Sequence, residues 1–194
     1  RTVHLRLDAG GGLVLRLSLA RPLDSAAGPP AAVIYVLDPE PELFAISAAT
    51  LFGRAGYDAD ESAMASPLRR VAVVGVGHHP SMYASLAGSG PWDAAALQIL
   101  RQRDFSGASS GSFLEALRKC VVPVVEQRLG VLELPVARRA ILGHSLSGLL
   151  ALRALFHHPE LFGNLALASP PLSDAPELFD LEQTSGYAPE ALRQ

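Results

Sequence analysis

The chain has 194 residues, 49% hydrophobic and 18% charged, a balance that suits one compact domain with a sizeable core and excludes a disordered tail. A formal net charge of −3 and a pI of ≈ 6.1 give no electrostatic basis for a nucleic-acid partner or an anionic membrane surface. The single cysteine, Cys120, excludes an internal disulfide, and no apolar run is long enough for a membrane-spanning helix.

One cysteine is compatible with a reducing compartment, which tilts the expectation towards a soluble, cytoplasmic protein. Residue 1 is Arg1 and not methionine, so the sequence reads as processed, trimmed or part of a longer product.

Residues 2–8 and 13–19 alternate apolar and polar (Val3, Leu5, Leu7, then Leu13, Leu15, Leu17, Leu19) around Gly10-Gly11-Gly12, which predicts a hairpin with one buried face. A loop rich in Pro, Gly and Ala follows from Arg21 to Pro30. The run Ala31–Asp38 is then apolar without alternation, as expected of a strand covered on both faces. Pro41 suits the first turn of a helix reaching about Phe52, and Gly53–Pro67 reads as a surface loop. Val71–Val76 is a second continuous apolar strand. Helices are expected from Trp92 to about Arg101 and from Ser112 to Leu129. The latter has Ser112 and Glu115 spaced as a capping box, Pro123 as an internal kink and Gly130 as its stop. Ala140–Leu142 is a third strand, a helix starts just after Ser145 and ends near His157, and Leu165–Ala168 is a short fourth strand. Strand and helix alternate, so the expected fold class is α/β, a doubly wound and mostly parallel sheet with an N-terminal antiparallel hairpin. No repeat is present, and no segment points to a metal or a cofactor.

Within this frame one segment carries chemistry. Arg138–Leu142 leads as a strand into Gly143-His144-Ser145-Leu146-Ser147-Gly148, and Leu149–Phe156 continues as a helix. A serine in such a strand–turn–helix is a nucleophile elbow, in which small flanking residues let the chain turn sharply and expose the hydroxyl above the sheet. Gly143 meets that need, whereas Ser147 stands where the pattern has its second glycine. The backbone N–H of Leu146, at the helix N-terminus, is placed to donate to an oxyanion.

The elbow, together with Val73-Val74-Gly75-Val76-Gly77, Arg101-Gln102-Arg103-Asp104-Phe105, Phe113–Leu129 with its internal Pro123, and Ala168-Ser169-Pro170, resembles the esterase D-like (putative esterase) branch of the α/β-hydrolases. Within that branch it looks like the enterobactin/salmochelin-type siderophore esterases, over roughly residues 30–175. The resemblance implies an α/β-hydrolase fold with no cofactor or metal, acting on a small-molecule ester. It implies Ser145 as nucleophile and Leu146 N–H as half of the oxyanion hole. The other half, in relatives, follows the strand that here ends in Leu37-Asp38. There Pro39 and Pro41 lack an N–H, leaving Glu40 as the available amide. Arg103 matches a position near the substrate pocket of relatives; an arginine paired with Asp104 or Glu115 at the surface is the competing reading.

A serine needs a base, and in this fold the order is serine, acid, histidine. Of the six histidines only His157 and His158 follow Ser145, 12 and 13 residues along the helix, hence about 18 Å away. They are expected to meet carbonyls at that helix's C-terminus, and His144 is expected to pack. His78 and His79 follow the strand Val71–Gly77 at the sheet edge where α/β sites form, which makes either a candidate base, although a loop histidine is the commoner case. Asp174, after the last strand, reads as an acid, a helix cap or a plain loop residue.

The expected domain is therefore 1–194, a single α/β-hydrolase domain lacking its last strands and histidine loop, with an uncovered sheet edge through which it would self-associate. The functional expectation is a serine hydrolase of carboxylic esters working through an acyl-enzyme, possessing its histidine in a longer form. A non-catalytic hydrolase-like binding domain and an acyltransferase are the alternatives.

Overall fold

The computed structural model describes residues 2–21, 28–38, 48–49, 70–87, 93–107, 109–131 and 133–179. Six strands are formed: β1 Thr2–Asp8, β2 Val14–Ala20, β3 Ala32–Leu37, β4 Val71–His78, β5 Arg139–His144 and β6 Asn164–Ala168. They make one mixed sheet in the order β1-β2-β4-β3-β5-β6. The hairpin β1–β2 pairs Leu5 with Leu17 and Leu7 with Leu15, so its alternating leucines share one face. Gly10, Gly11 and Gly12 all take positive φ, a run of conformations that only glycine adopts without strain. Only the inner strand of the hairpin is sealed: Leu15 and Leu17 are fully buried, while Val3 on the edge strand keeps 43% of its surface.

β2 joins β4 antiparallel, and β4, β3, β5 and β6 then run parallel. The chain adds β4 on one side of β3 and β5 on the other, so the winding reverses at β3. Ligands in sheets of this kind bind beyond the carboxyl ends of the strands at such a reversal. Both faces are covered. Tyr35, Leu37, Val74 and Val76 pack on one side with Phe105, Phe113 and Leu150, and Val36, Val73, Ala20 and Ala48 on the other. The continuous apolar runs of β3 and β4 thus have the cause inferred from their lack of alternation.

The helices are α1 Pro80–Ala87, α2 Ala94–Arg101, α3 Ser110–Ala116, α4 Val122–Leu129 and α5 Leu146–His157. Asp93 caps α2, its Oδ1 accepting the N–H groups of Ala95 and Ala96 at 2.8 and 3.1 Å. The Ser112–Glu115 capping box does not form. The helix starts two residues earlier, at Ser110, so Ser112 lies inside it, and Glu115 turns to Arg118 and Lys119 instead. The expected disruption at Pro123 takes the form of a π turn, Leu117–Val121, directly ahead of α4. Proline has no N–H for the carbonyl four residues back, and the wider turn absorbs that loss. Gly130 ends α4 at φ 72, the left-handed cap anticipated there. The helix expected from Pro41 is described only at residues 48–49, which are helical. Its remainder, Trp92 and the Gly53–Pro67 segment lie outside the described residues. No helix among the described residues is long and apolar enough to cross a membrane.

Candidate active site

The turn between β5 and α5 carries a constrained backbone. Ser145 has φ 56 and ψ −126, a region a side-chain-bearing residue enters only under constraint, at about 1–3 kcal/mol. The anchors on either side are strong enough to hold it. Ser145 N–H donates to Ala168 O at 2.8 Å, continuing the ladder to β6, and its carbonyl accepts the N–H of Leu149 at 3.1 Å, starting the helix. Leu149, Leu150, Ala151 and Ala154 are fully buried, and each such leucine contributes about 1.5–3 kcal/mol.

Gly143 is required by contact. A Cβ there would stand 2.2 Å from the carbonyl oxygen of Ser147 and 2.6 Å from the nitrogen of Gly148. Ser147, at the second glycine position of the motif, is 1% exposed, and its hydroxyl is satisfied in both directions. It accepts the N–H of His144 at 3.0 Å and donates to the carbonyl of His144 at 2.9 Å. The departure from glycine is thus used by the turn itself. Leu146 is the first helical residue of α5, so its N–H has no acceptor within the helix.

Asp38 and Ser169 also take positive φ, 54 and 47, just past β3 and β6. Three adjacent strands, β3, β5 and β6, therefore end in constrained residues along one edge. Arg101 from α2 forms an ion pair with Asp38, a link the sequence reading did not identify; an aspartate closing a parallel strand at the winding reversal was the available signal. Glu40, the other expected oxyanion donor, lies outside the described residues.

The remaining candidates sit elsewhere. His78, the last residue of β4, is buried, its ring stacked on Phe105 at 5.5 Å and edge-on to Phe113 at 5.9 Å. Its Nε2 donates to Asp104 Oδ2 at 2.8 Å. Arg103 grips the same carboxylate bidentately, at 2.6 and 2.7 Å. Burial by itself would raise the Asp104 carboxyl, but the hydrogen bonds from His78 and Arg103 outweigh it and hold the carboxyl below its ordinary range. Arg103 and Asp104 line a cleft of about 700 Å³ with Gly10, Leu13, Ser112 and Lys119, a cleft that does not include Ser145. His79 belongs to the start of α1: its Nδ1 accepts the N–H of Ser81 at 3.2 Å and lies 2.9 Å from the Ser81 hydroxyl. Burial, then Arg6 and Arg16, lower its pKa.

His144 is exposed, not packed, because the side chain leaves the sheet as the strand ends. His158 meets the carboxylates of Glu160 and Glu115, at 3.2 and 3.6 Å, and not the helix carbonyls expected for it. Asp174 is exposed in a 3₁₀ turn, 3.3 Å from the Ser173 hydroxyl. No hydrogen bond joins Ser145 to any of the histidines, all of which are among the described residues. No group of three or more His, Cys, Asp or Glu that could hold a metal occurs among the described residues.

Fold and elbow together define the class: an α/β-hydrolase-type domain. The chain belongs to the putative esterase family, whose profile matches residues 16–191. It is similar to the BES protein from Bacillus cereus, at 19% identity and TM-score 0.64 over 94% of this chain and 66% of that one. It is also similar to the siderophore hydrolase EstB from Aspergillus nidulans, at 20% identity and TM-score 0.66 over 92% of this chain and 62% of that one. A third likeness is to the enterobactin esterase FES from Shigella flexneri, at 16% identity and TM-score 0.63 over 98% of this chain and 43% of that one. The chain spans 66% or less of the length of these relatives. At such identities the likeness establishes the fold.

Proposed function

We propose that this chain is the nucleophile-bearing part of a serine ester hydrolase whose substrate is a small carboxylic ester of siderophore type. The observation that carries the reading is the backbone of Ser145, constrained at φ 56 and ψ −126 between a parallel strand and a helix N-terminus. Family membership supports ester chemistry, and the names of the similar structures, a siderophore hydrolase and an enterobactin esterase, supply the substrate class.

In this reading the Ser145 hydroxyl attacks the ester carbonyl while an imidazole removes its proton. The carbonyl oxygen becomes an oxyanion, met by the N–H of Leu146 and by a second donor from the segment after Asp38. Such a donor is worth roughly 3–4 kcal/mol at the transition state. The imidazole returns the proton to the departing alcohol, and water, deprotonated the same way, releases the acid from the acyl-serine. In this reading the base is a histidine other than the six of this chain. Support for this comes from the six histidines present: His4 bonds Ser18 at 2.9 Å, His78 is sealed against Asp104, His79 sits at the start of α1, His144 adjoins the serine, and His157 and His158 lie at the far end of α5.

The test is made on the whole protein. A fluorophosphonate should label Ser145, and enterobactin or p-nitrophenyl butyrate should be hydrolysed, both lost in Ser145→Ala. Labelling at another residue, or turnover that survives the substitution, would overturn the reading.

A further inference from the structure

Ser147 is buried beside Ser145, and its hydroxyl is committed twice to the residue on the other side of it. The reason lies in the ladder. Ser145 N–H bonds Ala168 on the β6 side, and backbone groups of successive strand residues point to opposite neighbours. The amide and carbonyl of His144 therefore face β3. The pairing of β3 with β5 reaches only Val36 and Leu142, so by His144 that ladder has ended. Backbone groups that leave a ladder need another partner, and the two bonds that supply it here are half-buried. The Ser147 hydroxyl takes both of them, accepting the N–H at 3.0 Å and donating to the carbonyl at 2.9 Å.

We infer that Ser147 is a positioning residue for the hydrolysis proposed above, a hydroxyl clasp across the elbow that fixes the peptide units flanking Ser145. The clasp spans the residue in the strained conformation, so it acts where the aim of the Ser145 hydroxyl and of the Leu146 N–H is set. Glycine or alanine at 147 fits the space but leaves the His144 groups without this partner. The serine and its neighbouring amide then sample more orientations, and catalysis depends on both being aimed at one carbonyl. Substrate affinity, set by groups further out, is untouched.

The inference rests on the hydrolase reading, and the experiment separates the two. In the whole protein, Ser147→Ala and Ser147→Gly should lower kcat for p-nitrophenyl butyrate by about tenfold with KM within about twofold, the size of effect expected from one or two lost hydrogen bonds. Ser147→Thr, which keeps the hydroxyl, should retain more of the rate than either. Amide hydrogen exchange at His144 should quicken by about tenfold in the alanine variant relative to Gly143, as for any amide freed of its acceptor. Unchanged kcat in Ser147→Ala, an equal loss in kcat and affinity, or unchanged exchange at His144 would overturn the clasp. No Ser145-dependent turnover in the unsubstituted protein would overturn the hydrolase reading and the positioning role with it, while the exchange readout reports separately on whether the clasp forms.

Discussion

Two clusters at the carboxyl edge of the same sheet carry the residue types of hydrolytic chemistry, and they are built to opposite ends. At the tip of β4, His78 and Asp104 form a 2.8 Å pair that looks like two thirds of a catalytic triad. It is sealed under Phe105 and Phe113, its carboxylate held by Arg103. At the tip of β5, Ser145 stands on a constrained backbone, partly exposed, beside a helix N–H with no intrahelical acceptor. In the first the Asp104 carboxylate is fully engaged, while Nδ1 of the buried His78 has no partner; in the second the proposed nucleophile stands partly open to solvent. Residue identity alone does not separate them. Exposure and backbone strain do.

Substitution can break this contrast in order of expected effect. Ser145→Ala in the whole protein should remove roughly 10⁶-fold of kcat, the loss seen when a serine nucleophile is deleted, with little change in thermal midpoint. Loss of turnover from removing His78 comparable with that from removing Ser145, without unfolding, would erase the distinction drawn here.

Gly143→Ala tests the strain at the elbow. With a Cβ at 2.2 Å from the Ser147 carbonyl, the turn must open, and denaturant unfolding should register a loss of about 3 kcal/mol or more together with loss of fluorophosphonate labelling. Full stability in this variant would mean the turn is looser than its contacts indicate.

Asp104→Ala should act through the fold. It leaves the Nε2–H of buried His78 without an acceptor and should cost about 2–3 kcal/mol, moderated because the Arg103 side chain is 45% exposed. The same pair sets a pH dependence. A carboxyl held below its ordinary range in the folded state stabilises the fold above its unfolded pKa of about 3.9, and that contribution disappears as pH falls through the lower folded value. Unfolding free energy should therefore drop as pH falls below the unfolded pKa of about 3.9, and the drop should shrink in Asp104→Ala. An identical acid profile in the variant would show that Asp104 is not the group responsible.

Glu115→Gln should do least. Arg118 and Lys119 draw its pKa down to about 2, but the pair is open to water and screened by salt. Thermal melts at low and moderate salt should differ from the unsubstituted protein by no more than the measurement error; a clear fall would assign the α3 surface a structural part.

How much of this could be read from residue order follows from how local each cause is. The strand–turn–helix around Ser145 was legible because its determinants lie within about ten residues: an apolar β5, a glycine where a side chain would collide, and an apolar α5. Gly130 as a stop and the hairpin about Gly10-Gly11-Gly12 were legible for the same reason. The capping box at Ser112 failed because the helix starts earlier, at Ser110, and the interruption expected at Pro123 takes the form of the π turn ahead of α4.

The long-range pairings were decided by tertiary structure alone. His78 and Asp104 are 26 residues apart and read as a loop histidine and a surface acid until the sheet and the π turn Gln102–Ser106 bring them together. Ser147 read as an imperfect glycine because nothing in the local pattern says that the β3 ladder ends before His144. Residue order set the periodicities, the turn residues and the elbow, since steric and apolar constraints act between near neighbours. Which polar groups are buried, and which are left free to react, depends on surfaces contributed by distant segments, and only the assembled sheet and its helices provide them.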